Sequence, residues 1–311
     1  KGKKEEKVKP LVLKKEEDLV GATSLVEMST FLAILTGTIL GGILVAYGAA
    51  PVCIAIVAIA ILGFFSSYNI PSTKTSNPKI ELHINPFKQT YQMLKVMRQN
   101  VSIFFGILAI SWFWLFGAIY FSQLSVFVRF ILNADKIYVT LFLSIFTLSL
   151  AIGSLACNRI SNKIIELGIV PLAAIGMTIF GVDLMLTDYS SFTNHLINLV
   201  DIWNSDSLYV FIRVVFDFFG VGFFGSIFIV PLYSLLQKRS SPQTTSQVIA
   251  CNNVVNSIFM IISTMLTMLA YKFNYSTSSI FGYVSILNII VLFIFILMMP
   301  ELFFRSIAWL K

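Results

Sequence analysis

Eight apolar stretches, each close to the length of a membrane crossing, constrain this 311-residue chain more than any other feature. They run roughly Leu25 to Tyr47, Pro51 to Ser67, Val101 to Val126, Ile137 to Cys157, Ile165 to Leu186, Ser207 to Leu236, Val248 to Tyr271 and Ser278 to Met299. A helix needs ~20 such residues to cross a bilayer, and in lipid every backbone N–H and C=O must be satisfied within its own segment. With 57% of residues hydrophobic and 12% charged, a single water-soluble core would leave much of this surface exposed. The same proportions exclude disorder. The chain therefore reads as an all-α polytopic membrane protein with about eight transmembrane helices. The second stretch is short for a crossing, and Tyr68 to Ile70 extend it, with Tyr68 suited to the membrane interface.

The net charge of +7 would suit nucleic acid, but its placement does not. Seven Lys and five acids fall in the first eighteen residues, and nearly all other charges flank the apolar stretches. Of the 22 Lys and Arg, 18 lie on alternate connections: Lys1 to Lys15, Lys74 to Arg98, Arg159 with Lys163, Lys238 with Arg239, and Arg305 with Lys311. The opposite connections hold Arg129, Lys136 and Lys272, and Arg213 lies within the sixth stretch. This bias predicts an even number of crossings with both termini in the cytoplasm. The chain begins at Lys1, and no small-residue cleavage site follows its basic lead, so a signal peptide is not read and an excerpt or truncated product is expected. Cys53, Cys157 and Cys251 are far apart and form no zinc or disulfide pattern.

The longest polar interval separates the first two stretches from the following six. Within it, Phe87, Tyr91, Leu94 and Met97 recur at helical spacing among basic residues, which predicts an amphipathic helix on the inner membrane surface. The expected organisation is a charged cytoplasmic lead (1–22), two helices (23–67), a cytoplasmic loop (68–100), a six-helix bundle (101–300) and a cytoplasmic tail (301–311).

Several residues stand out against this apolar background. Gly37, Gly41 and Gly42 put small residues on one face of the first helix, where another helix can approach closely. Trp112 and Trp114 lie well inside the third stretch, away from the interface tryptophans favour, so they either pack in protein or line a cavity. Arg213 and Asp217 are four apart and positioned for a mutual ion pair, while Asp183 on the preceding helix reaches a depth comparable to Arg213, so an interhelical pair between those two also fits the geometry. Charge within a bilayer is costly, so these groups are either a structural interlock or a substrate or ion contact. Asn252, Asn253 and Asn256 bring amides into the seventh helix, and lining a cavity is favoured over a helix–helix seam. Glu27 reads as an interfacial carboxylate near a helix start. No catalytic residues, metal ligands or cofactor site are expected. Only His83 and His195 are present, and the positions five residues on hold Lys88 and Val200 where glycerolipid acyltransferases place Asp.

Three runs resemble one family. Val26, Glu27 and TFLAILTGTILGG (Thr30 to Gly42) look like the fifth helix of lysophospholipid transporters in the major facilitator superfamily. SWFWLFG (Ser111 to Gly117), with Gln123 beyond it, is similar to their seventh helix. Pro231 to Tyr233 and VIACNNVVN (Val248 to Asn256) resemble the segment joining their tenth and eleventh helices. Thr38 follows Gly37 where superfamily members often have Gly-Pro, and Arg159 and Lys163 only loosely echo the superfamily's gating-loop motif, with Cys157 in place of Asp. The resemblance implies a partial major facilitator fold, with two helices of the N-terminal bundle, a six-helix C-terminal bundle and the first four helices missing. Pro300 to Leu310 resemble the junction where relatives continue into a glycerophospholipid acyltransferase.

The implied function is lysophospholipid translocation across a bacterial inner membrane for reacylation. Arg213 would meet the head-group phosphate, Asn252 and Asn256 its polar atoms, and Trp112 and Trp114 the apolar part. Membrane lipid and the lysophospholipid are the implied partners, along with an acyltransferase or helices supplied by another chain; nucleic acid is not. Two other readings stay open: a membrane anchor or fusion remnant without transport activity, and a transporter of an unrelated solute.

Overall fold

A computed structural model describes residues 16–45, 47–70, 91, 93–95, 98, 100–162, 164–192, 200–204, 207–241 and 243–309. Among them are eight helices long and apolar enough to cross a membrane. These are α1 (Glu16–Val45), α2 (Ala49–Ser67), α3 (Val101–Phe130), α4 (Lys136–Ile160), α5 (Ile169–Leu186), α6 (Leu208–Arg239), α7 (Thr245–Lys272) and α8 (Thr277–Met298). A short helix, α9 (Glu301–Trp309), follows where a tail was expected, and α1 begins at Glu16 rather than near Leu25. Of the face expected from Phe87, Tyr91, Leu94 and Met97, only Tyr91 and Leu94 are among the described residues; Tyr91 is exposed and Leu94 packs on the core.

Local chemistry sets the helix ends. Asn100 starts α3 by accepting the Ile103 N–H (3.3 Å), and Ser276 starts α8 by accepting the Ser279 N–H (3.2 Å). Asn133, Asn162 and Asn274 adopt φ of 48°, 50° and 61° just past α3, α4 and α7, the left-handed turn that Asn tolerates better than other non-glycine residues.

The central helix is α6, which packs on α4, α5, α3 and α1. Its crossing with α4 rests on small residues spaced four apart on both helices: Ser149 and Gly153 on α4, Gly222 and Ser226 on α6. A Cβ at Gly222 would meet the Phe146 carbonyl at 2.8 Å, and Ser226 Oγ donates to the Leu150 carbonyl at 2.5 Å. With no lipid-driven hydrophobic force between helices, such close backbone approach is what holds a membrane bundle together. By contrast, α1 lies across α4 and α6 and carries α2, which has no buried residue.

Hydrogen bonds define two ends. At the basal end, Arg239 joins Glu301 (2.6 Å) and Ser102, Ser306 donates to the Gly168 carbonyl (2.8 Å), and Ser154 donates to the Ser24 carbonyl (2.6 Å). These bonds tie α9 beneath the starts of α3 and α5 and the end of α6, and pin the start of α1 to the end of α4. At the distal end, Asp183 near the end of α5 meets Arg213 near the start of α6.

Candidate functional site

A chamber of about 560 Å³ opens between α1 and the helices behind it. Phe31 and Ile34 come from α1, Phe113, Trp114 and Gly117 from α3, and Met260 from α7. Ser122, Thr147 and Thr264 supply the hydroxyls of an otherwise mostly apolar lining. The volume lies within the ~300–1,000 Å³ of sites for small ligands.

Just basal to the chamber is a polar layer. Oriented with its nitrogen toward Ser111, the Asn256 amide donates to Ser111 Oγ (2.8 Å) and the Asn252 carbonyl (3.1 Å), and accepts from Asn252 Nδ2 (3.0 Å) and Trp114 Nε1 (3.3 Å). Trp114 Nε1 also donates to the Tyr233 hydroxyl (3.0 Å), which neighbours both amides. Glu27 is buried at 7% exposure, within electrostatic reach of Tyr233, and its Oε2 has no hydrogen-bond partner. Phe31, one turn further along α1, lines the chamber. Polar and apolar layers are thus stacked along one axis.

Distal to the chamber, aromatic rings close the interior. Tyr120 stacks on Phe281 (4.5 Å) and Phe116 (4.7 Å), and Phe218 meets Phe127 and Phe142 edge-on (5.5 Å each). The Tyr120 hydroxyl is satisfied by Ser285 Oγ at 2.9 Å. Beyond them, Arg213 grips Asp183 in a fork, with Nε to Oδ2 at 2.7 Å and Nη2 to Oδ1 at 2.5 Å. Asp217 is buried and reaches Asp183, leaving its Oδ2 without a partner. In the connection after α5, burial pushes the Tyr189 phenol above its ordinary range, and its hydroxyl donates to the Leu184 carbonyl (2.6 Å).

The family model of the Major Facilitator Superfamily matches residues 13–264, most of the chain. The chain belongs to that superfamily. The eight apolar helices among the described residues make it an integral membrane protein, and the superfamily is generally one of transporters rather than enzymes. A comparison with curated proteins found no match.

Within this superfamily fold, the residues singled out from the sequence separate into groups. Trp114, Asn252 and Asn256 meet in the polar layer. Trp112 is buried beside it and donates to Asn288 Oδ1 (2.8 Å), whose Nδ2 continues to the Ala174 carbonyl (2.9 Å). Asn253, on the other face of α7, is exposed. Gln123 accepts from the Tyr271 hydroxyl (2.7 Å) near the distal end. Arg213, Asp183 and Asp217 form their own distal group, with the ion pair running between helices rather than along α6. Arg159 is exposed, and Lys163 lies outside the described residues, as do His83 and His195.

At Gly37, Gly41 and Gly42 an added Cβ would meet nothing within 4 Å, so no described helix uses that close approach. Glu27, Tyr233 and Asn288 were not assigned to a site from sequence. Because α1 starts at Glu16, Glu27 lies well inside the helix rather than at its start. The available signal was the spacing of Glu27, Phe31 and Ile34 along one helical face.

Proposed function

We propose that this transporter-family chain moves lysophospholipid across a bacterial inner membrane, delivering it for reacylation by a cytoplasmic acyltransferase, with both of its own termini in the cytoplasm. The observation that carries this reading is the stacked cavity: an apolar chamber of about 560 Å³ directly beside a layer of amides, indole N–H, phenol and carboxyl. A single-chain phospholipid has the same two-part chemistry, whereas a small hydrophilic solute would find three hydroxyls in the chamber lining. The three runs that resemble lysophospholipid transporters also converge on this cavity. The first supplies Phe31 and Ile34, the second Trp114 and Gly117, and the third Asn252 and Asn256.

In this reading α1 and α2 are the last helices of an N-terminal bundle and α3 to α8 form the C-terminal one. The contact of α1 with α4 and α6 is then the seam about which the bundles rock. The amphiphile enters from the side, its chain in the chamber and its head in the polar layer. Arg213 is held by Asp183 at the distal end, across the chamber from that layer, so it meets the phosphate only at another stage of transport and after releasing Asp183.

Reconstitution in proteoliposomes with a labelled lysophospholipid tests the proposal. Gly117 lines the chamber, and a Cβ there meets nothing within 4 Å, so Gly117→Phe fills the space without displacing the fold. The expected result is protein-dependent flipping that falls at least about tenfold in Gly117→Phe. Transport of a hydrophilic solute with no lysophospholipid flipping would favour the unrelated-solute reading instead.

A further inference from the structure

At the distal end, one buried carboxyl has no donor to hold it. Asp217 is 3% exposed, its Oδ2 receives no hydrogen bond, and its side chain reaches the Asp183 carboxylate. Asp183 is already taken by the Arg213 fork, with Nε on Oδ2 and Nη2 on Oδ1, so it is the ionised member of the pair. Two acceptors brought together repel unless one of them carries a proton, which turns it into a donor. The other ionisable groups around Asp217 do not supply that donor. From α3 the Tyr120 hydroxyl is bound to Ser285, and from the connection after α5 the Tyr189 hydroxyl donates to the Leu184 carbonyl. Tyr138 of α4 lies within reach of Asp201 and meets the Phe211 ring edge-on, nearer the start of α6. Tyr209 is exposed one turn before Arg213, and Glu27 of α1 belongs to the basal layer.

We propose that Asp217 is a proton-binding site whose occupancy selects the partner of Arg213. With the proton in place, Asp217 donates to Asp183, and Arg213 ties α5 to α6. When the proton leaves to water at the distal end, the trio passes from neutral to a net negative charge. The buried Asp217 carboxylate then needs the cation more than Asp183 does, because the Asp183 side chain is 31% exposed. Arg213 stands four residues before Asp217 on α6, so it exchanges its interhelical partner for one on its own helix. The tie between α5 and α6 is released in the same step. This site is separate from the chamber and from the polar layer, and it holds whatever the chain transports.

Infrared difference spectroscopy of the purified chain in nanodiscs at neutral pH reads the proton directly, through the carbonyl stretch of a protonated carboxyl and its shift in heavy water. The unaltered chain is expected to show such a band, which Asp217→Asn removes and Asp188→Asn, at an exposed position after α5, leaves in place. Asp183→Asn should also remove it, because Arg213 then pairs with Asp217 and holds it ionised. Adding Arg213→Gln to Asp183→Asn should bring the band back, a rescue that neither misfolding nor a purely structural role would give.

The absence of a band that depends on Asp217, or a band that persists in Asp183→Asn, would overturn the proposal. So would loss of the band on adding sodium at constant pH, which would make this a metal-cation site instead. Either failure leaves the lysophospholipid reading untouched, since no lysophospholipid enters the measurement.

Discussion

Individual side chains here answer for specific bonds. Asn288 is 1% exposed and links α3 to α5 through Trp112 Nε1, the Ala174 carbonyl and Thr178 Oγ1. Asn288→Leu strands the indole N–H and is expected to cost about 1 kcal/mol, since polar contacts between membrane helices are worth less than burial alone suggests. Equilibrium unfolding in mixed micelles would measure it. The Arg213–Asp183 fork is a different case, because its side chains are 38% and 31% exposed rather than buried. A double-mutant cycle with Arg213→Gln and Asp183→Asn should return a coupling of about 1 kcal/mol or less, falling as salt is added. A coupling of several kcal/mol would mean that the pair is shielded as a buried one is.

At this scale sequence reasoning succeeded where spacing along one helix carried the answer. Asn252 and Asn256, four apart, do share a face. It missed Tyr233 and Asn288, whose significance comes from partners 119 and 176 residues away that only the packed bundle brings near.

Among the elements, all eight crossings were legible because a bilayer demands a long apolar run for each, whatever its tertiary surroundings. Helix contacts were less legible. The Gly37, Gly41 and Gly42 stripe reads as a packing face, yet a close crossing among the described helices is built instead from Ser149 and Gly153 against Gly222 and Ser226. Small residues four apart are necessary for close approach, but one stripe says nothing of which helix lies opposite. Gly222→Val would drive a side chain into Ser149 and the Phe146 carbonyl. It is expected to destabilise the bundle by about 1–3 kcal/mol, lowering the midpoint of thermal unfolding, whereas Gly41→Val, with open space around it, should leave the midpoint nearly unchanged.

For the whole molecule, the layered interior is the property that follows from no single motif. A basal polar layer, an apolar chamber, an aromatic closure and a distal ion pair succeed one another along the bundle. Composition announced a membrane protein and the charge asymmetry its expected orientation, but the chamber arises only where α1 crosses the helices behind it. The claim that this chamber holds the chain of an amphiphile is tested most directly by photocrosslinking. A lysophospholipid with a photoreactive group on its acyl chain would be activated on the purified protein and the adducts mapped by mass spectrometry. Adducts on Phe31, Trp114 or Met260 that unlabelled lysophospholipid competes away are predicted. Labelling confined to the exposed surface of α2, unaffected by competitor, would contradict the account.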